Sequence, residues 1–313
     1  MDISEQIGVT QEEIEPLLEV TAELVQKRRS QGRIIFDRFI RNRAAVGGAL
    51  FLILLFAFCF FGPAISGHND PNAVHVTNIT DTLSGPSVKY PFGTDDVGRD
   101  QLARAMVGGQ TSLLVGLTSM LMAIVFGIGI GSFAGFYGGF IDNVLMRFTD
   151  VILAVPFYLL LFVLSASFTD GSPRSVIFLI AALSWTYTAR LVRGEFLALK
   201  EREYVLAART IGARSLRMMF RHILPNAAGP IIVSATLLVG ANIISESVLS
   251  FFGFGIQPPV ASWGSMIDTG QNLIDVQPLL VFIPGLLIFF TVLSFNLVGD
   301  GLRDALDPYM TER

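Results

Sequence analysis

Charge is scarce in this chain of 313 residues: only 15% are Asp, Glu, Lys or Arg, against about 25% in an average soluble domain. That shortfall, beside 52% hydrophobic residues, excludes an ordinary soluble makeup and points to a membrane protein. The net charge is −4, so the basic surplus that nucleic-acid binding requires is missing and no nucleic acid is expected as a partner. Cysteine occurs once, as Cys59 inside an apolar run, which rules out a disulfide framework within the chain. The three histidines, His68, His75 and His222, stand in no metal-ligand spacing, and no metal site is expected. Lysine is limited to Lys27, Lys89 and Lys200, none of them in a Gly-Lys-Ser/Thr pattern. The loop that cradles nucleotide phosphates is therefore absent, no residue is assigned a catalytic role, and ATP hydrolysis is not expected of this chain.

What the sequence has is long apolar runs. A membrane helix needs roughly 20 mainly apolar residues to cross about 30 Å of hydrocarbon. Six runs approach or exceed that length: 44–65, 111–136 within the uncharged stretch 107–141, 151–168, the shorter 175–189, 229–250 and 279–299. The expected fold class is an all-α membrane protein with six transmembrane helices. Lys and Arg collect on the connections facing the cytoplasm. With the N-terminus inside, 18 of the 22 fall on that side, including those between Arg190 and Ala228. The chain then divides into a cytoplasmic N-terminal segment (1–43), a first span (44–65), an extracytoplasmic segment (66–106) and a core with five spans (107–313). Both termini and the polar loop 195–226 are placed in the cytoplasm.

In the N-terminal segment, Ile14, Leu17, Leu18, Leu24 and Val25 recur at helical spacing, which fits an amphipathic helix on a membrane or partner, or a marginal helix docked on nothing. Asn78-Ile79-Thr80 matches a glycosylation triplet but carries no weight. In the outer segment, Gly93-Thr94-Asp95-Asp96-Val97-Gly98-Arg99-Asp100 precedes the second span. Asp95 and Arg99 either line a pathway mouth or receive an external partner, or they form a salt-bridged turn that caps a helix through Thr94 or Asp95. Gly127, Gly131, Gly135 and Gly139 recur every four residues and read as one smooth helical ridge admitting a neighbouring backbone. Glu246 is the one acid well inside an expected span; it faces a pathway, pairs between helices or snorkels to the surface. After it, Phe251–Pro259 is too rich in Gly and Pro to stay helical, and 260–277, with no Lys or Arg, suits an outer lip folding back.

The stretch Glu201–Asn226 is polar and basic, yet apolar runs flank it. Tyr204, Ala207, Ala208 and Ile211 share a face of one helix, Gly212 supplies a stop, and Leu216, Met219, Phe220 and Ile223 stripe a second helix that Pro225 closes. Arg214, Arg217 and Arg221 lie on another face. Such a knob fits a partner's groove, or lies on the membrane with its arginines on lipid phosphates. The pattern A-A-x(3)-G-x(9)-x-I-L-P from Ala207 to Pro225 resembles the EAA loop of type I ABC importer permeases. R-N-R-A-A-V at Arg41–Val46, the Gly93–Asp100 run, F-x-G-F-G-I-Q-P-P at Phe251–Pro259 and G-D-G-L-R-D-A-L-D-P at Gly299–Pro308 resemble the C-type permeases of dipeptide and oligopeptide importers. Together these stretches cover most of the chain from residue 36 onward.

The resemblance implies a type I permease fold in which the loop is a coupling helix docked on an ATP-hydrolysing subunit, through Ala207, Ala208, Arg209, Gly212, Ala213, Arg214, Ser215 and Pro225. It implies as partners a homologous second permease, two ABC ATPase subunits, an extracytoplasmic peptide-binding protein and membrane lipid. ATP and magnesium would sit on the partner subunits, with no cofactor on this chain. The cargo it implies is a dipeptide or oligopeptide, with nickel, glutathione or another small solute as the alternative. One departure stands out: Leu206 occupies the position of the glutamate that names the motif, and Glu203 lies one helical turn earlier. A rival from another class, a transporter driven by an ion gradient, requires paired ionisable residues near the bilayer midplane; apart from Glu246 the expected spans offer none.

Overall fold

The computed structural model describes residues 31–73 and 82–307; the Ile14–Val25 pattern and the Asn78 triplet lie outside them. Regular structure among the described residues is helical, with one isolated bridge between Thr94 and Asp100. α1 (Gln31–Arg41) passes into α2 (Arg43–Ser66) across Asn42, whose side-chain oxygen accepts from the Ala45 amide at 3.1 Å and caps the second helix. There follow α3 (Gln101–Tyr137), α4 (Gly139–Ala154), α5 (Phe157–Phe168) and α6 (Pro173–Leu199). A hairpin of α7 (Glu203–Thr210), α8 (Ser215–Arg217) and a π-helical turn (Met218–Ile223) leads to α9 (Ala228–Phe251), α10 (Trp263–Gln271) and α11 (Leu279–Leu306).

Helices α2, α3, α6, α9 and α11 are long and apolar enough to cross a membrane, and α4 with α5 makes a sixth crossing if the pair is one broken span. The expected single helix over 151–168 is thereby corrected. Helix starts at Gly139, breaks at Val155-Pro156 and turns by 87° before continuing. The cause is local: Pro156 has no amide proton, and its ring pushes the preceding residue out of the helical region, so Val155 is extended (φ −88°, ψ 133°). Other spans also outrun their apolar cores. α3 begins at Gln101, capped by Asp100, and α6 carries on to Leu199 with Arg190 and Arg193 inside it.

α3 is the hub, and its most extensive packing is against α6. A methyl group built on Gly127 would stand 2.5 Å from Thr188 Cβ, on Gly131 2.4 Å from the Ala189 carbonyl oxygen, and on Gly135 2.6 Å from Phe196 Cβ. Three of the four glycines thus form a surface against which the α6 backbone lies directly. Gly139 does not join them. The helix has ended at Tyr137, and Gly139 has φ +53° at the start of α4 with nothing within 4 Å of where its Cβ would be. The four-residue spacing continues past the helix it describes.

α2 and α11 meet in a similar way. A methyl on Gly48 would sit 3.0 Å from the Ser294 carbonyl oxygen, and one on Gly301 would strike the Ala45 methyl. Arg38 donates to the Asp307 carbonyl at 2.9 Å and Asn42 to Asp304 at 3.3 Å, so the Arg41–Val46 and Gly299–Pro308 motifs are one contact in space.

Replacing Gly131 with Val forces α3 off α6, whereas Gly129 faces open space. Gly131→Val is expected to destabilise the protein by about 1–3 kcal/mol, read as a lower melting temperature in detergent. Gly129→Ala, which gains helix propensity, should leave the midpoint unchanged or raise it. Equal midpoints for Gly131→Val and the unmodified protein would refute the packing account.

Candidate functional site

The hairpin between α6 and α9 is held by its own turn and by an apolar base. At the end of α7 the Ala213 amide donates to the Ala208 carbonyl and the Gly212 amide to the Arg209 carbonyl, both at 3.0 Å, with Gly212 at φ +82°. These bonds satisfy carbonyls that would otherwise be left open at the helix end, and only glycine takes that conformation cheaply. Val205, Met219, Ile223 and Ala227 are buried against Val192 and Phe196 of α6 and Ile231 of α9, with Ile124, Ile128 and Phe136 of α3 packed alongside. The base of the hairpin is therefore continuous with the helix bundle.

The expected faces divide differently. Ala208 turns inward beside Val205, away from Tyr204, Ala207 and Ile211, which are exposed; Ile211 is the most prominent, at 86%. On the second arm Met219 and Ile223 are buried while Leu216 and Phe220 face out, because the π turn carries the Leu224 amide to the Met219 carbonyl (2.8 Å) and rotates the stripe. Arg209, Arg214, Arg217, Arg221 and Pro225 are exposed around this surface, and Ala213 and Ser215 are half-buried in the turn. Leu206 is exposed at the position of the motif glutamate, in a groove with Phe136, Tyr137, Lys200 and Arg209; Glu203 is exposed nearby. Partial burial pushes the Tyr204 phenol above its ordinary pKa, with Arg202 opposing, so it remains a neutral hydroxyl.

Glu246 is fully buried, which excludes snorkelling. It accepts from Ser112 of α3 at 3.0 Å and from Ser250 at 2.8 Å. Ser112 in turn accepts from the Trp263 amide (3.2 Å) and Ser250 from the Ile256 amide (3.0 Å). One carboxyl thus ties α9 to α3, to the break after α9 and to α10, whose Trp263 is itself buried and donates its indole N–H to the Ala105 carbonyl at 2.9 Å. One turn away, Asn242 donates to Ser119 at 2.8 Å and accepts from Ser184 of α6 at 3.1 Å. Asn242 and these serines escaped sequence reasoning; the signal was the spacing, since 242 and 246 share a helix face, as do 112 and 119.

At the α10 end, the Gly93–Asp100 run is a closed turn. Asp95 is buried and accepts from the Arg99 Nε at 2.6 Å and from the amides of Val97 and Arg99 at 3.2 and 2.8 Å. The cap of α3 is Asp100, not Thr94 or Asp95: its carboxylate accepts from the Leu102 amide at 2.9 Å and pairs with His68. Thr94 instead accepts from the Ser84 amide at 3.0 Å.

Toward the α7 end, two ion pairs join α4 to α6: Asp142 with Arg193 at 2.5 and 2.7 Å, and Asp150 with Arg190 at 2.7 Å. The sequence places Asp142, Asp150 and Arg193 outside the expected spans, and no spacing within one helix announces their pairing across α4 and α6. Among the described residues no three His, Cys, Asp or Glu side chains converge as a metal site.

Residues 127–312 match the family described as binding-protein-dependent transport system inner membrane component, and residues 30–86 match the N-terminal transmembrane domain of oligopeptide transport permease C. The chain is 39% identical over 271 residues to the oligopeptide transport system permease protein of Bacillus subtilis, with 87% of each chain covered. It is 38% identical over 280 residues to the glutathione transport system permease protein of Pectobacterium atrosepticum, covering 90% of this chain and 92% of the relative. The dipeptide transport system permease protein of Alkalihalophilus pseudofirmus is 37% identical over 281 residues, with 90% and 91% covered.

If Glu246 acts as the tie described, Glu246→Leu leaves the Ser112 and Ser250 hydroxyls without their acceptor and should cost about 1–3 kcal/mol. Glu246→Gln, which keeps an acceptor oxygen, should cost less. Thermal unfolding in detergent separates the two, and equal losses would remove the hydrogen-bonding explanation.

Proposed function

The chain belongs to the binding-protein-dependent transport system inner membrane component family, and on that premise we propose that it is one of two homologous permease subunits of an ATP-driven importer for dipeptides and oligopeptides. ATP is hydrolysed by partner ATPase subunits in this family, and the chain is a multi-pass permease rather than an enzyme. The observation that carries the proposal is the α7–α8 hairpin: a glycine-terminated knob with exposed Ala207, Ile211, Leu216 and Phe220, rooted in the packing of α3 and α6. Its apolar tip amid arginines has the makeup of a protein interface, with anchors at the centre and charge at the rim. Each of two ATPase subunits would receive the hairpin of one permease, and an extracytoplasmic binding protein would deliver cargo at the α10 end. This puts α7 and both termini in the cytoplasm, as the Lys and Arg distribution favours. ATP and magnesium belong to the partners, and this chain carries no cofactor.

Closing of the ATPases would draw the hairpins together. Because Gly127, Gly131 and Gly135 seat the α6 backbone directly on α3, those two helices would move as one body, and access would alternate by rocking rather than by sliding between them. The ion pairs Asp142–Arg193 and Asp150–Arg190 do not revive an ion-driven mechanism: they lie on a half-exposed face toward the α7 end rather than at the centre of the bundle. The similarity to glutathione permeases supports a second cargo reading on the same architecture, since glutathione is itself a small peptide.

Ala207→Arg puts a bulky cation on the knob, and Gly212→Asp puts a side chain at φ +82°. Both are expected to abolish uptake and binding-protein-stimulated ATP hydrolysis in the reconstituted importer while membrane insertion stays normal. Coupled transport at the unmodified rate in both variants would sink the docking proposal.

A further inference from the structure

The ion cluster between α4 and α6 serves neither the hairpin nor the buried seam. Arg193 and Asp142 close it at the α7 end, Arg190 pairs with Asp150, and the five charges border a cavity of about 340 Å³. Arg147, one turn before Asp150, approaches its carboxylate only to 3.8 Å and remains 85% exposed. α4 buries a single side chain, Thr149, against the rest of the subunit, so internal packing does not account for this face. Lipid tails do not account for it either, because charge at hydrocarbon depth is costly and turns to water or protein.

We propose that Arg147, Asp150 and Arg190 line the inner part of the translocation pathway and exchange ion pairs with the charged groups of passing peptides. The inference rests on the peptide reading above. A peptide carries an ammonium, a carboxylate and side chains of either sign, and this lining interleaves both signs. A site for lipid phosphate would need cations alone. Cargo entering here replaces an existing partner instead of filling an unpaired site, which keeps binding weak, as a conducting path requires. Arg147 opens the exchange, since its contact with Asp150 is long and solvent-screened.

The test uses the importer reconstituted in vesicles with its second permease, ATPases and binding protein. The readout is the ratio of initial uptake rates of a glutamate-bearing and a lysine-bearing tripeptide, each normalised to its occupancy of the binding protein. Arg147→Glu is expected to lower that ratio by about two- to fivefold, with Arg147→Lys matching the unmodified protein. Asp150→Asn should shift it the opposite way, and Arg147 alone decides the matter if that variant fails to assemble. Uptake of both peptides with a ratio indifferent to residue 147 overturns the inference alone. A ratio that follows the anionic lipid content of the vesicles instead of residue 147 assigns the cluster to headgroups. Loss of the second permease from purified Arg147→Glu complexes assigns it to the subunit interface. Either result overturns the inference. Unmodified vesicles that accumulate neither peptide overturn the cargo reading and the inference with it.

Discussion

The rest of the structure depends on the direct approach of two backbones, α3 and α6, over Gly127, Gly131 and Gly135. Between helices in lipid the hydrophobic effect supplies little, so association depends on close packing and on polar contacts. Small residues at this seam let main chain meet main chain across two turns of helix. The consequence reaches beyond the seam. α6 runs unbroken to Leu199 and the hairpin begins at Glu203, so whatever fixes α6 to α3 also fixes the base of the hairpin. Val205, Met219 and Ile223 then close on Val192, Phe196 and the inner part of α3. A force applied at Ile211 would meet a continuous packed body.

The polar interior has a complementary role. Water does not reach hydrocarbon depth to satisfy a stray hydroxyl or carboxyl, so each must find a partner in the protein. Glu246 and Asn242 do so in different directions. Asn242 bonds to Ser119 and Ser184, joining the three central helices, while Glu246 bonds to Ser112 and Ser250, which hold the Trp263 and Ile256 amides. The break after α9 and helix α10 are thereby fixed to the same bundle that carries the hairpin. The α4–α5 unit stands apart. Its first arm, α4, buries only Thr149 and is joined to α6 by ion pairs, whereas α5 packs on α6 and α9 through the buried Leu161.

Much of this was legible in the sequence because it is written in local periods. The apolar runs located five crossings, and Gly212 marked the turn where the Ala213 and Ala208 backbones bond. The misses share a cause. Val155-Pro156 sat inside one apolar run, and hydropathy does not register a bend. Gly139 kept the four-residue spacing after the helix had ended. The spacing of an isolated helix groups Ala208 with Tyr204, Ala207 and Ile211, whereas packing of α7 on the π turn buries it on the same face as Val205. Asp95 offered both a gate and a cap; the turn uses it internally and leaves the cap to Asp100.

The sequence by itself determined that the chain is helical and built for a bilayer, where five of its crossings lie, and that it has no phosphate-binding loop. These follow from composition and from spacings within single elements, which need no knowledge of neighbours. Only the tertiary structure decided which glycines meet a backbone, that Glu246 is sealed between helices by serines, and that Asp150 finds Arg190 across a bent pair. Such facts depend on residues tens to more than a hundred positions apart, brought together by packing, and no local period encodes them.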